Sequence, residues 1–505
     1  MKKWMKITLS SLLATALMLT CVCFAGATPQ KAVSINAGYA TNVKDYGAKG
    51  DGTTNDAAAV KAAAEAAVAK SGEGSLYFPA GTYRMADAVS FGSSLEVIFE
   101  PGAKLYLEKT ASVSAYIVAG DQIIFDGPGS VAGAPTNASG NPVWFGAKGD
   151  GVTDDTKAFK TAMQMYRNVD IPYREAGYVV SDLTIAGDSR ITGPSADKKA
   201  KLIAKADTGN LFTISSSRIY VSNIALEMSA SKYGTGIFFN NTGGISHCAI
   251  LNVDINGAYN AIRDSDNPES NEKQIFITNI KMSGIRCTAG RNTAIEMNDM
   301  WGFIFLLDTV VDYTATEGDT TNYPAIYLKD NAGFVGTNVQ VIGKGKEAGE
   351  KNDGWYLYNS VAVWFDRCTV KDVGGIGFNS AKGGAYIYLL NCAAENAGKY
   401  GLQMAGGVDL QTEGFVVKGA GMDGIYLNNC TLAQLHDTTI SGCGRNGVLS
   451  NAKLVQFVNL KADNNGNYAV SDMGKNNSYT NLTGEGNGKG LSLVEDGQVI
   501  IVDAP

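Results

Sequence analysis

Histidine is almost absent from this chain: His247 and His436 are the only two in 505 residues. Both sit in strand-and-turn contexts, ISHCAI and AQLHDTT, so they read as structural side chains, and any chemistry proposed elsewhere must work without an imidazole. Cysteine never occurs as C-x-x-C or in Cys/His spacing, which excludes an expected zinc site. No excess of positive charge exists, since the formal net charge is -7. That argues against a nucleic-acid partner, although one local basic groove could still oppose the global field and take an anionic substrate. Beyond residue 24 no stretch is apolar enough to span a membrane. The glycine-rich turns lack a G-K-[ST] ending, so they do not read as nucleotide loops. Helix formers are scarce after residue 211, which excludes helical repeat arrays.

What is present begins with an export signal. Lys2, Lys3 and Lys6 precede an apolar run over residues 7–24, and Ala25-Gly26-Ala27 offers a cleavage site. Cleavage is expected after Ala27, giving a secreted, extracellular protein with no membrane contact after signal removal. Residues 28–41 read as a leader. Six cysteines remain after cleavage, at 248, 287, 368, 392, 430 and 443. An even number in an exported chain permits disulfides. Three of them occupy similar slots, SHCAI, DRCTV and LNCAA, as buried thiols stacked in successive turns of a repeat would.

The chain is organised around a duplicated stretch. YGAKGDGTTNDAAAV over residues 46–60 returns as WFGAKGDGVTDDTKAF over 144–159, pairing Gly47 with Gly146, Asp51 with Asp150 and Asp56 with Asp155. Glycine supplies turn angles that other residues resist, and Asp or Asn accepts hydrogen bonds from a helix's first free amides. The spacing predicts helices over 57–70 and 156–167, each followed by a strand with a Pro–turn–Tyr ending, LYFPAGTYRM and VDIPYREAGYVVS. The order GAKGDG, Asx/Thr cluster, amphipathic helix, P-x-G-T-Y resembles the N-terminal cap of the pectate lyase superfamily, including rhamnogalacturonase and epimerase-like proteins and phage tailspike depolymerases. The resemblance implies an all-β fold, a single-stranded right-handed parallel β-helix behind a β-rich cap with short helices. It also implies action on a polysaccharide, and it is compatible with a homotrimer. The cap motif specifies fold and says little about chemistry.

Residues 28–140 then form the cap region, ending in the Gly/Pro/Asn/Ser stretch GPGSVAGAPTNASGNP, and residues 141–505 the main solenoid. From residue 211 on, short strands recur. A small residue followed by an apolar anchor marks one of them: Ile237, Ile262, Ile295, Ile326, Trp355, Ile376, Leu402, Ile425, Val448 and Ala469. A period near 21–26 residues fits parallel β-helix coils, which bury their inward side chains only by stacking. Side chains alternate along a strand, so Arg263, Glu296, Tyr327 and Tyr356 should face solvent, with Asn298, Lys329 and Tyr358 two residues further on. Three consecutive long intervals, between Ile262 and Trp355, insert the polar loops 264–273, 314–322 and 343–353 beside this face. Loops projecting from a rigid scaffold beside one ladder are how a cleft is built.

The expected catalytic group is Arg263, Glu296, Tyr327 and Lys329. The expected substrate contacts are Asp264, Asp266, Asn298, Asp299, Tyr356 and Tyr358. Arg pairs bidentately with carboxylates and aromatic rings pack on sugar faces. A β-eliminating lyase on a uronic acid polymer would use Arg263 or Lys329 to neutralise the sugar carboxylate and Lys329, Tyr327 or an Arg as base. A glycoside hydrolase would pair Glu296 with Asp264, Asp266 or Asp299. A non-catalytic glycan binder would use the same face as a surface, and a solvated mixed-charge sheet is the bland reading. After residue 200 the N-T-D, D-D and G-H-G motifs of polygalacturonases are missing, as is D-P-H of alginate epimerases. No calcium-binding repeat is present and no cofactor is firmly expected, although the acidic loops leave room for a calcium ion.

Overall fold

The computed structural model describes residues 40–69, 71–240, 244–264, 277–278, 280–283, 286–288, 292–314, 323–345, 350–494 and 501–502. All strand pairings recorded among them are parallel, and the two α-helices are Ala57–Val68 and Thr156–Met165. The signal and leader reading concerns residues 1–39, outside the described residues.

The repeated glycine-rich stretch folds twice in the same way. Asp51 accepts hydrogen bonds from the Thr53 and Thr54 amides at 2.9 and 2.8 Å. Asp150 does so from Val152 and Thr153 at 3.0 and 2.7 Å. Gly50 and Gly149 take the left-handed conformation, φ +64° and +62°. Asp150 and Asp155 were expected to hold the turn and the start of the helix at Thr156; both hold the turn, and Asp155 does not cap the helix. Asp155 turns its carboxylate back onto the Lys148 and Gly149 amides, 2.8 and 3.0 Å, and makes no cap bond to the helix. The helix-start amide of Thr156 goes instead to Asp154. The first copy repeats this, with Asp56 on Lys49 and Gly50 and Asn55 receiving Ala57. Two N–H groups clustered by tight turn geometry are a stronger demand for a carboxylate than one helix-end amide.

Behind the first copy, strands from Thr41–Asn42 to Val131–Ala132 form three small sheets of four, four and three strands, a short solenoid in itself. It stacks on the second copy. Phe125 lies 5.7 Å from Phe145, and the buried Trp144 donates its indole N–H to Gly120 at 3.0 Å.

From Asp150 onward each coil has three strands. Among the described residues one sheet holds 13 strands, and the other two faces run together into a sheet of 24. The coil turns are rich in Asn, Asp and Gly with positive φ, including Asp308, Asn338, Asn391 and Asn459. These residue types tolerate that conformation, and their side chains bond coil to coil, as Asn338 does to Asp308 at 2.9 Å.

The 13-stranded sheet carries the anchor column. Ile237, Ile262, Ile295, Ile326 and Trp355 are in register, and so are Leu402, Ile425 and Val448. Two anchors are corrected. Trp355 pairs with Phe378, not Ile376, and Val448 with Val470, not Ala469. The cause is the small residue before each anchor. A Cβ on Gly377 would lie 2.5 Å from the Gly401 carbonyl, and one on Gly447 would lie 2.5 Å from that of Ala469. That position admits only Gly or Ala, so in GIGF the marker is Gly377 rather than Gly375. Ala469 is itself a marker. The positions next in line on the column are therefore Asn379 and Ser471, themselves buried at 5% and 7% exposure, and Gly377 and Val470, expected outside, are buried too. Inside, Trp355 packs between Phe334 and Phe365, with ring centres at 5.8 and 4.6 Å.

The five described mature cysteines are free and buried, and Cys368 and Cys392 stack in adjacent coils. Cys287 is outside the described side chains.

Candidate functional site on the outward column

Four neighbouring strands build the site: Asn260–Asp264, Ile295–Asn298, Ile326–Lys329 and Trp355–Tyr358. Ile262, Ile295, Ile326 and Trp355 point in and are fully buried, which forces the next residue of each strand outward. Arg263 is thereby in register with Glu296, Glu296 with Tyr327 and Tyr327 with Tyr356. Lys329 and Tyr358 form a second outward pair.

Arg263 Nε lies 3.7 Å from Glu296 Oε2, an ion pair rather than a hydrogen bond. The Arg263 side chain is 41% exposed, so the pair contributes little stability, about 0–1 kcal/mol. Its value is orientation: Glu296 fixes where the guanidinium points. Tyr327 and Tyr356 have ring centres 5.4 Å apart. Burial, with Tyr356 and Glu296 adding, pushes the Tyr327 phenol up to about 12, and burial raises Tyr356 as well. Tyr327 therefore holds its proton at neutral pH. Lys382 donates to the Tyr358 hydroxyl at 3.2 Å and lies 5.4 Å from its ring centre.

Two expected substrate contacts do not reach the surface. Asp264 and Asn298 are 0% and 1% exposed. Asp264 accepts the Asn298 amide at 2.9 Å and its side-chain NH2 at 3.2 Å, and burial pushes its carboxyl well above the usual range, with Glu296 adding. Asp264 follows the outward Arg263 and so takes an inward position, in register with the buried Phe239, whereas Asn298 departs from alternation at its strand end and turns onto the Asp264 carboxylate. Asp299 is exposed at that corner in the left-handed conformation, φ +50°. Asp266 lies outside the described residues.

The same holds for most of the three expected wall loops, of which 265–276, 315–322 and 346–349 are not described. Their ends are informative. The first leaves the C-terminal end of a site strand after Asp264. The other two lead into the N-terminal ends of Ile326–Lys329 and Trp355–Tyr358.

Asp353, placed by sequence in the third loop, is instead a buried joint. It accepts the Ile376 amide and the Asn379 side-chain NH2, both at 2.7 Å, and burial pushes it up to about 6.

Sequence reasoning missed the tyrosines along the N-terminal edge. Tyr233 and Tyr323 are 67% and 47% exposed. Tyr259 packs 5.6 Å from Tyr233, and Lys232 lies 5.1 Å from the Tyr233 ring. The available signal was a Tyr three residues before an anchor, as at Tyr259 and Tyr323. Neither histidine lies on the four site strands. Among the described residues no three His, Cys, Asp or Glu side chains converge as a metal site.

Comparison with known proteins joins these observations. Residues 40–140 match the family described as rhamnogalacturonase A/epimerase, pectate lyase-like, and residues 324–488 match the right handed beta helix region. The chain folds as a right-handed parallel β-helix whose N-terminal region matches a pectate lyase-like family. Short local matches include alginate lyase 7 of Azotobacter vinelandii, 57% identical over 44 residues, 9% of this chain and 5% of that protein. Mannuronan C5-epimerase AlgE4 of the same organism is 53% identical over 47 residues, 9% and 8%. The matched stretch thus spans less than a tenth of either relative. Among solved structures, the bacteriophage Phi29 gene product 12 N-terminal fragment superposes with a TM-score of 0.50 at 16% identity, over 69% of this chain and 67% of that one. At that identity the likeness is one of fold.

Proposed function

We propose that this β-helix is a secreted enzyme that cleaves a uronic-acid-containing polysaccharide by β-elimination along the Arg263–Glu296–Tyr327 column. One observation carries the reading: a cation, the carboxylate that orients it and two protonated phenols stand in register on one outward column. Arg263 meets the sugar carboxylate and makes the adjacent C5 hydrogen acidic. Lys329, on the neighbouring outward position, takes that proton. The C5–H pair becomes a C4–C5 double bond, the C4–oxygen bond breaks, and Tyr327 donates its proton to the leaving oxygen. Tyr356 and Tyr358 offer rings to flanking sugars. The names of the short matches, an alginate lyase and mannuronan epimerases, support a uronate substrate. Export through the signal at residues 1–27 is part of the same proposal.

A retaining or inverting hydrolase needs two carboxylates facing the bond, about 5 to 9.5 Å apart. Asp264 is buried, so that reading keeps only Glu296 with Asp299 or a residue of the loop at 265–276.

The test is the purified chain on a panel of polyuronates and neutral glycans. Ultraviolet absorbance of an unsaturated uronide, lost in Arg263→Ala, is expected. Reducing ends without that absorbance would transfer the chemistry to Glu296, and binding without turnover would make the column a glycan-docking face.

A further inference from the structure

The second face of each coil carries its own outward column, different in kind. Phe305, Val335, Trp364, Tyr388, Gln411, Gln434 and Gln456 follow one another in register. Lys281 precedes Phe305 in register, and from Phe305 to Gln456 the column carries no Lys, Arg, Asp or Glu. Its upper half is aromatic. Trp364 and Tyr388 stack at 5.6 Å with planes 5° apart, and Phe303, 44% exposed, stacks on Phe305 at 6.1 Å. Beside it runs a left-handed position occupied by Gly302, Gly333, Ala362, Tyr386 and Asp409 in successive coils. Tyr386 holds φ +55° with its ring 53% exposed, and the position continues below Asp409 as the exposed Leu432 and Leu454, φ +60° and +58°. A bulky residue in that conformation is strained and points to a use for its side chain. Below it Gln411 donates to Asp409 at 2.8 Å, which fixes an amide and a carboxylate oxygen at the surface.

We infer that this face is a second, non-catalytic binding surface for a neutral polysaccharide, independent of the charged column. The argument is chemical complementarity. Uncharged sugar rings have apolar faces for Trp364, Tyr386 and Tyr388, and hydroxyls for Gln411, Gln434 and Asp409. The coil spacing of about 4.8 Å presents the amides at an even interval to a chain lying along the solenoid. Beside the aromatic stretch from Phe305 to Tyr388 the column offers a polyanion no cation, and below it a polyanion would meet Asp409.

The test is affinity electrophoresis of the full chain through gels containing hydroxyethylcellulose, galactomannan, a β-1,3-glucan or, as the anionic comparison, polygalacturonate. Retardation by at least one neutral polymer is expected, unchanged at high salt and weakened about tenfold in Tyr386→Gly with Trp364→Ala, the loss of aromatic contacts. Tyr386→Gly alone should weaken it less and cannot unfold the coil for lack of a tolerated backbone angle, since glycine suits that φ. Tyr327→Ala with Tyr356→Ala should bind the neutral polymer as wild type does. No retardation by any neutral polymer overturns the inference. So does retardation that survives Tyr386→Gly with Trp364→Ala but disappears when Tyr327 and Tyr356 are removed.

Discussion

The glycine-rich turns and the outward site column both draw on acidic side chains, yet they use them in opposite ways. In the turns four carboxylates are spent on backbone. Asp51, Asp56, Asp150 and Asp155 each accept two backbone amides of their own loop. On the column, Glu296 takes no backbone amide among its recorded contacts and meets a guanidinium at 3.7 Å across a half-wet gap. The difference separates carboxylates that build the chain from one that meets a cation on the outward column. Asp264, Asp353 and Asp423 extend the building class into the coils, with Asp423 buried and bonded to the Asn446 amide at 3.0 Å.

The largest expected break of this division is Tyr327→Phe. Removing a proton donor in the column should lower turnover about 10²–10⁴-fold, with the unfolding midpoint almost unchanged. A rate within a fewfold of wild type would move the donor elsewhere.

A pH measurement sharpens the building side. Asp353 titrates near 6 in the folded chain against about 3.9 unfolded, so the folded state holds the extra proton between those values. Its contribution is therefore fully present below about pH 4 and is lost as pH rises to about 6, at most about 3 kcal/mol. Urea midpoints at pH 4 and pH 7 should show this slope in the wild type and lose it in Asp353→Asn. Equal slopes in both would mean that Asp353 stays ionised.

Asp155→Ala should cost about 1–3 kcal/mol, because the Lys148 and Gly149 amides lose their acceptor. Turnover per folded molecule should not change. An inactive variant that melts normally would place cap and site together. The smallest effect is expected for Glu296→Gln, a severalfold loss from a less firmly oriented Arg263; complete inactivity there would favour the hydrolase.

Much of this was legible in the sequence. The duplicated GAKGDG stretch and the recurring small-then-apolar marker are local signals, and they located the caps, the coil period and the four-strand column with Arg263, Glu296, Tyr327 and Tyr356 outward. The misses came from physics that a residue count does not contain. Ile376 and Ala469 were misplaced because the requirement for a residue without bulk comes from the carbonyl of the next coil. Asp264 is buried because it follows an outward residue and takes the inward position, and Asn298 because a strand end turns inward. Asp155 left the helix because two amides six and seven residues upstream compete for it. The Tyr233 and Tyr259 rim needed three-dimensional stacking to be seen.

The most direct test of the account is Arg263→Ala, assayed for initial rate on a polyuronate that the wild type cleaves and for thermal unfolding in the same buffer. The account predicts a rate lower by about 10²–10⁴ with stability within about 0.5 kcal/mol of wild type, since the Arg263–Glu296 pair is half-exposed. An undiminished rate, or a loss of activity that only tracks unfolding, would contradict it.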